Sequence, residues 1–163
     1  MLNGEVIAIT GASGFVGSKL LASLSNSNTR LLVRSLDSNS HYQQIKCDLE
    51  TNNIPDDCFV GVSTVFHLAG FAHDMRDANQ IKDIYYRVNV DATVKLAELA
   101  AKSGVKSFVF ISSVKAGGVS ISGKCMNESD QNKPEGVYGK TKREAELRLL
   151  EIGKNSNMCV SII

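Results

Sequence analysis

The segment Thr10-Gly11-Ala12-Ser13-Gly14-Phe15-Val16-Gly17 constrains the possible folds of this chain more than any other. It follows a short, β-branched apolar run, Glu5 to Thr10. Into it runs a stretch from Ser13 to Ser25 whose apolar members Phe15, Val16, Leu20, Leu21 and Leu24 recur at helical spacing. Three glycines at a strand-to-helix turn suit the holding of a pyrophosphate against backbone N–H groups. No Cβ intervenes, and the helix N-terminus adds the positive end of its dipole. Gly11 would make the tight turn, Gly14 would admit the pyrophosphate, and Gly17 would let helix pack on strand. A merely structural turn is the alternative, and the position at the first strand–helix junction of an alternating chain argues against it.

That alternation continues. Strands are expected at Thr29 to Val33, Gln44 to Leu49, Val62 to Ala69, Ser107 to Ile111 and Met158 to Ile163. Amphipathic helices are expected from Ala78 to Ser103, stopped by Gly104, and from Val137 to Ile152. Between Ser113 and Gly136 a polar stretch reads as a long, largely irregular loop, a length usually kept for function. The pattern implies an α/β, doubly wound parallel sheet of Rossmann type, with six strands present. Residues 1–163 read as one dinucleotide-binding domain that stops inside or just after a strand, with no closing helix.

Composition narrows the partners. With 18 Lys+Arg against 17 Asp+Glu, the chain carries no basic footprint for nucleic acid or an anionic membrane. No apolar run approaches the ~20 residues of a bilayer-spanning helix. No cationic region precedes a long apolar segment at the N-terminus, so a cytoplasmic protein without a secretory signal is expected. Cys47, Cys58, Cys125 and Cys159 form no C-x-x-C pair, and His41, His67 and His73 are scattered. Neither a metal site nor a disulfide framework is expected.

The T-G-x-x-G-x-x-G spacing resembles the short-chain dehydrogenase/reductase superfamily, and the resemblance runs through essentially the whole chain. It implies NAD or NADP as cofactor, with Gly11, Ser13, Gly14, Phe15, Val16 and Gly17 in the phosphate turn. Arg34 follows the second strand, where dinucleotide folds place a residue against the adenosine ribose. A guanidinium there leans toward the added phosphate of NADP, although nearby Asp37 keeps NAD open. Asp48 and Leu49 resemble the family's adenine contact. His67-Leu68-Ala69-Gly70 resembles its H-L-A-A motif, so Leu68, Ala69 and Gly70 would line the cofactor, Gly70 departing from the usual alanine. His67 is expected to be satisfied by backbone rather than to take part in catalysis. Asn89, in Arg87-Val88-Asn89-Val90-Asp91, also matches a family pattern, with a structural role equally open.

Tyr138 and Lys142 stand four apart on an expected helix and share one face. Free tyrosine titrates near ~10 and is a poor base at neutral pH. A neighbouring ammonium favours the phenolate, as would a cationic nicotinamide, so the pair could remove a hydroxyl proton while hydride leaves the adjacent carbon. By resemblance, Ser113 in Phe110-Ile111-Ser112-Ser113 completes a catalytic triad with Tyr138 and Lys142, the latter two also contacting the cofactor. Its hydroxyl would bond the reacting oxygen.

Tyr138-Gly139-Lys140-Thr141-Lys142-Arg143-Glu144-Ala145-Glu146 is similar to the extended branch, the NAD-dependent epimerase/dehydratase family acting on nucleotide sugars. Members of that branch run to roughly twice this length, so the C-terminal substrate domain is expected to be missing here. The branch implies an epimerase working through a keto-sugar, with a reductase or dehydratase as alternatives using the same triad. A non-catalytic dinucleotide-binding module is the rival of another class. Where the family usually reads V-Y-G after the serine, this chain reads Lys115-Ala116-Gly117-Gly118, leaving Lys115 as a substrate contact or a loop charge. The resemblance further implies a homodimer paired through the two long helices.

Overall fold

A computed structural model describes residues 5–24, 28–72, 78–119, 125–130 and 132–163. Strands β1 (Val6–Thr10), β2 (Asn28–Val33), β3 (Gln43–Lys46), β4 (Val62–His67), β5 (Ser107–Phe110) and β6 (Cys159–Ile162) form one sheet in the order β3-β2-β1-β4-β5-β6. Every pairing is parallel. The chain runs outward from β1 to β3, then restarts on the other side of β1 with β4. The connections that leave the carboxyl ends of β1 and β4 therefore run to opposite faces of the sheet, which opens a crevice at the switch point.

Helices cover both faces because the strands are apolar on both. In β1, Ile7 and Ile9 pack with Leu31 beneath the apolar side of α1 (Phe15–Ser23), whereas Ala8 joins the opposite core. That larger core holds Val65, Phe108 and Phe110 from the sheet against Leu96 and Ala100 of α3 (Ala92–Lys102) and Ala145 and Leu149 of α4 (Gly136–Lys154). Phe108 and Phe110 alternate with half-buried Ser107 and Val109, so one side of β5 is given wholly to α3 and α4.

The expected helix from Ala78 to Ser103 is not a single α-helix. It runs as α2 (Ala78–Tyr86), a π-helical turn (Arg87–Asp91) and α3. The extra residue in the wide turn lets Val88, Asn89 and Val90 all face inward, which a regular 3.6-residue period does not allow. The expected irregular stretch after β5 begins with a short 3-10 turn, Val114–Gly117, and residues 120–124 and 131 of it lie outside the described residues. Among the described residues, no helix is long and apolar enough to cross a membrane.

Candidate active site

The glycine turn places backbone against backbone. Gly11 has a φ of +73°, and a Cβ on it would lie 2.6 Å from the Ala69 nitrogen at the exit of β4. A Cβ on Gly17 would lie 2.1 Å from the Gly11 oxygen, so α1 reaches the turn only because that side chain is missing. Gly14 then begins α1 with its amide donating to the Gly11 oxygen at 3.0 Å. The helix has no side-chain cap and no acidic residue in its first turn, so its leading N–H groups keep their capacity for an anion.

These groups open on a cavity of about 960 Å³ at the switch point. Of the residues expected to hold a dinucleotide, Gly11, Ser13, Gly14, Arg34, Leu49, Leu68, Ala69 and Gly70 line it, together with Asp37. Phe15, Val16, Gly17 and Asp48 do not. Phe15 is 86% exposed and Val16 52% exposed, turned away from the turn that they help to form. Asp48 folds back on itself, its Oδ1 accepting the Glu50 amide at 3.0 Å while its backbone bridges to Asn53. The volume, the uncapped helix end and the backbone approach fit a dinucleotide.

His67 is wholly buried and bonded on both ring nitrogens, to hydroxyls rather than to backbone. The direction of the bonds follows from their ends. The Thr93 proton goes to the Val88 carbonyl in the π turn at 3.4 Å, so Thr93 Oγ1 accepts from His67 Nε2 at 2.9 Å. A neutral ring then leaves Nδ1 to accept the Thr10 hydroxyl at 2.6 Å, whose oxygen also takes the Ala69 N–H at 3.2 Å. Every member is satisfied with a neutral imidazole. Burial, and then the charge of Lys142, push its pKa down to about 3. Thr10 and Thr93 escaped sequence reasoning; only the place of Thr10 in the glycine motif marks it.

Asn89 makes a second clasp. Its Oδ1 accepts the Phe71 amide at 2.7 Å, and its Nδ2 donates to the Phe71 carbonyl at 3.0 Å and to Thr141 Oγ1 at 3.3 Å. One side chain thereby ties the cavity wall to α4. A methyl in place of Gly70 would come within 3.3 Å of that Oδ1, a tight contact.

Lys142 is buried on α4, its Nζ donating to the Ile111 carbonyl at 2.6 Å and standing 3.8 Å from the centre of the Phe110 ring. Burial lowers its pKa to about 8, opposed by the Glu146 carboxylate. Ser113, two residues beyond Ile111, starts the 3-10 turn and accepts the Lys115 amide at 3.3 Å, which leaves its own proton to donate. Tyr138 is half-buried in the first turn of α4. Its ring meets Tyr85 edge-on at 6.3 Å, and Tyr85 meets Phe71 of the cavity wall at 4.9 Å. Gly139 permits this placement, because a Cβ there would lie 2.6 Å from the Lys115 oxygen. Tyr138, Lys142 and Ser113 thus stand beside the cavity rather than in its lining. Lys115 itself is exposed.

The chain is similar in sequence and fold to known proteins. The model of the NAD dependent epimerase/dehydratase family matches residues 7–163. The chain is 35% identical to the UDP-glucose 4-epimerase of Vibrio cholerae, across 96% of this chain and 50% of that protein. It is 34% identical to the N-acetyl-alpha-D-glucosaminyl-diphospho-ditrans,octacis-undecaprenol 4-epimerase of Escherichia coli O157:H7, across 92% of this chain and 44% of that protein. Among solved structures, MoeE5 in complex with UDP-glucose and NAD superposes with a TM-score of 0.81 at 34% identity, covering 98% of this chain and 52% of the other. The chain spans about half the length of the curated relatives that it matches.

His67 should remain uncharged, with its proton on Nε2, from pH 8 to pH 5. Above pH 6.5 folded and unfolded imidazoles are both neutral and the residue leaves stability independent of pH. Below that, the unfolded chain takes up a proton that the folded one refuses, so stability falls by about 1.4 kcal/mol per unit until the folded group itself titrates. Nitrogen-15 NMR of the imidazole reads this directly, and a midpoint near 6.5 would contradict the bonded arrangement.

Proposed function

Because the chain belongs to the NAD dependent epimerase/dehydratase family, we propose that it forms the cofactor-binding and proton-transfer part of a nucleotide-sugar epimerase. The observation that carries this reading is the buried Lys142 ammonium, one helical turn from Tyr138 and anchored to the strand exit that bears Ser113. A lysine so buried is costly unless its charge has a use or a partner. The relatives named as 4-epimerases and the UDP-glucose and NAD of the MoeE5 structure support the substrate class and the cofactor.

In this reading Gly11, Ser13 and Gly14 receive the pyrophosphate at the start of α1, and Leu68, Ala69 and Gly70 form the wall beside it. Bound there, the nicotinamide supplies the acceptor for a hydride that is later returned to the other face of the sugar carbon. Tyr138 takes the proton of the sugar hydroxyl at its Oη. Lys142, as a cation, stabilises the phenolate form in which Tyr138 accepts that proton, and the proton leaves the tyrosine neutral. Ser113 donates its hydroxyl proton to the sugar oxygen as the carbonyl forms. Arg34, exposed at the cavity rim, reaches for a ribose phosphate and leans the site toward NADP.

The helices α3 and α4 supply the expected homodimer surface. Leu147 and Leu150 of α4 are 55% and 42% exposed, beside a groove in which Val94, Ala101 and Ile152 are joined by the polar Glu98, Arg148, Glu151, Asn155 and Ser156. In a dimer they would be covered.

Incubated with UDP-sugars, the full-length protein should interconvert 4-epimers without net change in nicotinamide absorbance. Tyr138→Phe should lower kcat by about 10²–10⁴-fold while dinucleotide affinity is kept. Net NADPH consumption would favour a reductase, and dinucleotide binding with no turnover of any nucleotide sugar would favour a binding module. Arg34→Ala should weaken NADPH by about tenfold and NADH far less, read by fluorescence titration; equal losses would remove the lean toward NADP. Sedimentation should give a dimer that Leu147→Asp and Leu150→Asp together dissociate.

A further inference from the structure

Three residues of α4 stand at successive intervals of four on one side of the helix, Tyr138, Lys142 and Glu146. Opposite them runs the exit of β5, Ile111-Ser112-Ser113. Two bonds join the pair. Lys142 Nζ donates to the Ile111 carbonyl at 2.6 Å, and the Ser112 hydroxyl donates to Glu146 Oε1. The other carboxylate oxygen of Glu146 receives Arg143 Nη1 at 3.3 Å, and the side chain is only 12% exposed. Nothing in the proposed chemistry uses Glu146.

We propose that Glu146 is a positioning residue for the proton-transfer pair, pinning the strand exit that carries Ser113 to the helix that carries Tyr138. This rests on the reading of Tyr138 and Lys142 given above. The Ile111 and Ser112 amides hold this exit to the sheet, on the His67 carbonyl at 3.1 Å and the Ile163 carbonyl at 2.6 Å. The bonds of Lys142 and Glu146 are what tie it to α4, and Ser113 follows directly. The carboxylate also has an electrostatic role. Lys142 acts on the neutral His67 of β4 and on Glu146 one turn along its own helix, with the Phe110 ring and the Ile111 carbonyl against its ammonium. Glu146 is the acidic group among them. Burial favours a neutral amine, and Glu146 opposes that. A neutral Lys142 would offer Tyr138 no cation.

The two parts of the role separate by substitution. Glu146→Gln keeps an acceptor for Ser112 and removes the charge. Ser112→Ala keeps the charge and removes the bond, and Ser112→Thr restores a hydroxyl. The first readout is the Lys142 side-chain titration by nitrogen-15 NMR on the chain described here, without cofactor. Glu146→Gln should lower the midpoint by about one unit, and Ser112→Ala should shift it by less than half of that. The second readout is the pH profile of the full-length protein's turnover. Glu146→Gln should move its alkaline limb to lower pH, and Ser112→Ala should lower kcat about tenfold at unchanged KM, with recovery in Ser112→Thr. An unmoved Lys142 midpoint in Glu146→Gln overturns the electrostatic part. Unchanged kcat in Ser112→Ala overturns the pinning, and this pair decides the matter even if Glu146→Gln does not fold. If full-length protein turns over no nucleotide sugar, the proposed function fails, while the lysine titration still decides what Glu146 does.

Discussion

Contact between two pieces of backbone governs this molecule. The Gly11 carbonyl lies where a side chain on Gly17 would have to be, and the Gly11 α-carbon abuts the exit of β4. Helix α1 therefore starts at the carboxyl edge of the sheet with its N–H groups facing the crevice, instead of being held off by the thickness of a methyl group. Sheet order and helix end then act together. The reversal between β1 and β4 opens the space, and the close approach supplies the donors that give the space a polarity.

On the other side of β4 the same edge is organised by polar side chains in apolar surroundings. His67, Asn89 and Lys142 are each buried, and each is resolved differently. His67 gives up its charge and bonds to two hydroxyls. Asn89 pairs with both backbone groups of Phe71 as a neighbouring strand would. Lys142 rests on an aromatic face and a carbonyl, with a carboxylate one turn away. Buried polar groups with complete partners rigidify what they touch. Here they join β1, β4, the π turn and α4.

Much of this was legible beforehand. Strand runs such as Val6 to Thr10 are apolar on both faces and bounded by glycine, which leaves few readings besides an interior parallel strand. The glycine spacing placed α1 and its N-terminus, and the four-residue interval placed Tyr138 and Lys142 on one side of α4. What was not legible depended on contacts between distant segments. The π turn has no signature in a 3.6-residue pattern, and the bonds that Asn89 makes from it reach Phe71 and Thr141 in distant segments. The partners of His67 lie 57 and 26 residues away in sequence. Phe15 and Val16 read as part of the phosphate turn, yet their side chains face outward, since a backbone cradle asks nothing of them.

The one-way run of donors from Ala69 through Thr10, His67 and Thr93 to Val88 has a thermodynamic corollary. Swapping either threonine for valine leaves an imidazole nitrogen without its partner, and swapping the imidazole leaves Thr10 with the Ala69 amide alone and Thr93 with the Val88 carbonyl alone. The three positions are therefore energetically coupled: a change at one removes a buried bond from its neighbour, and the cost of changing two together is not the sum of the single costs.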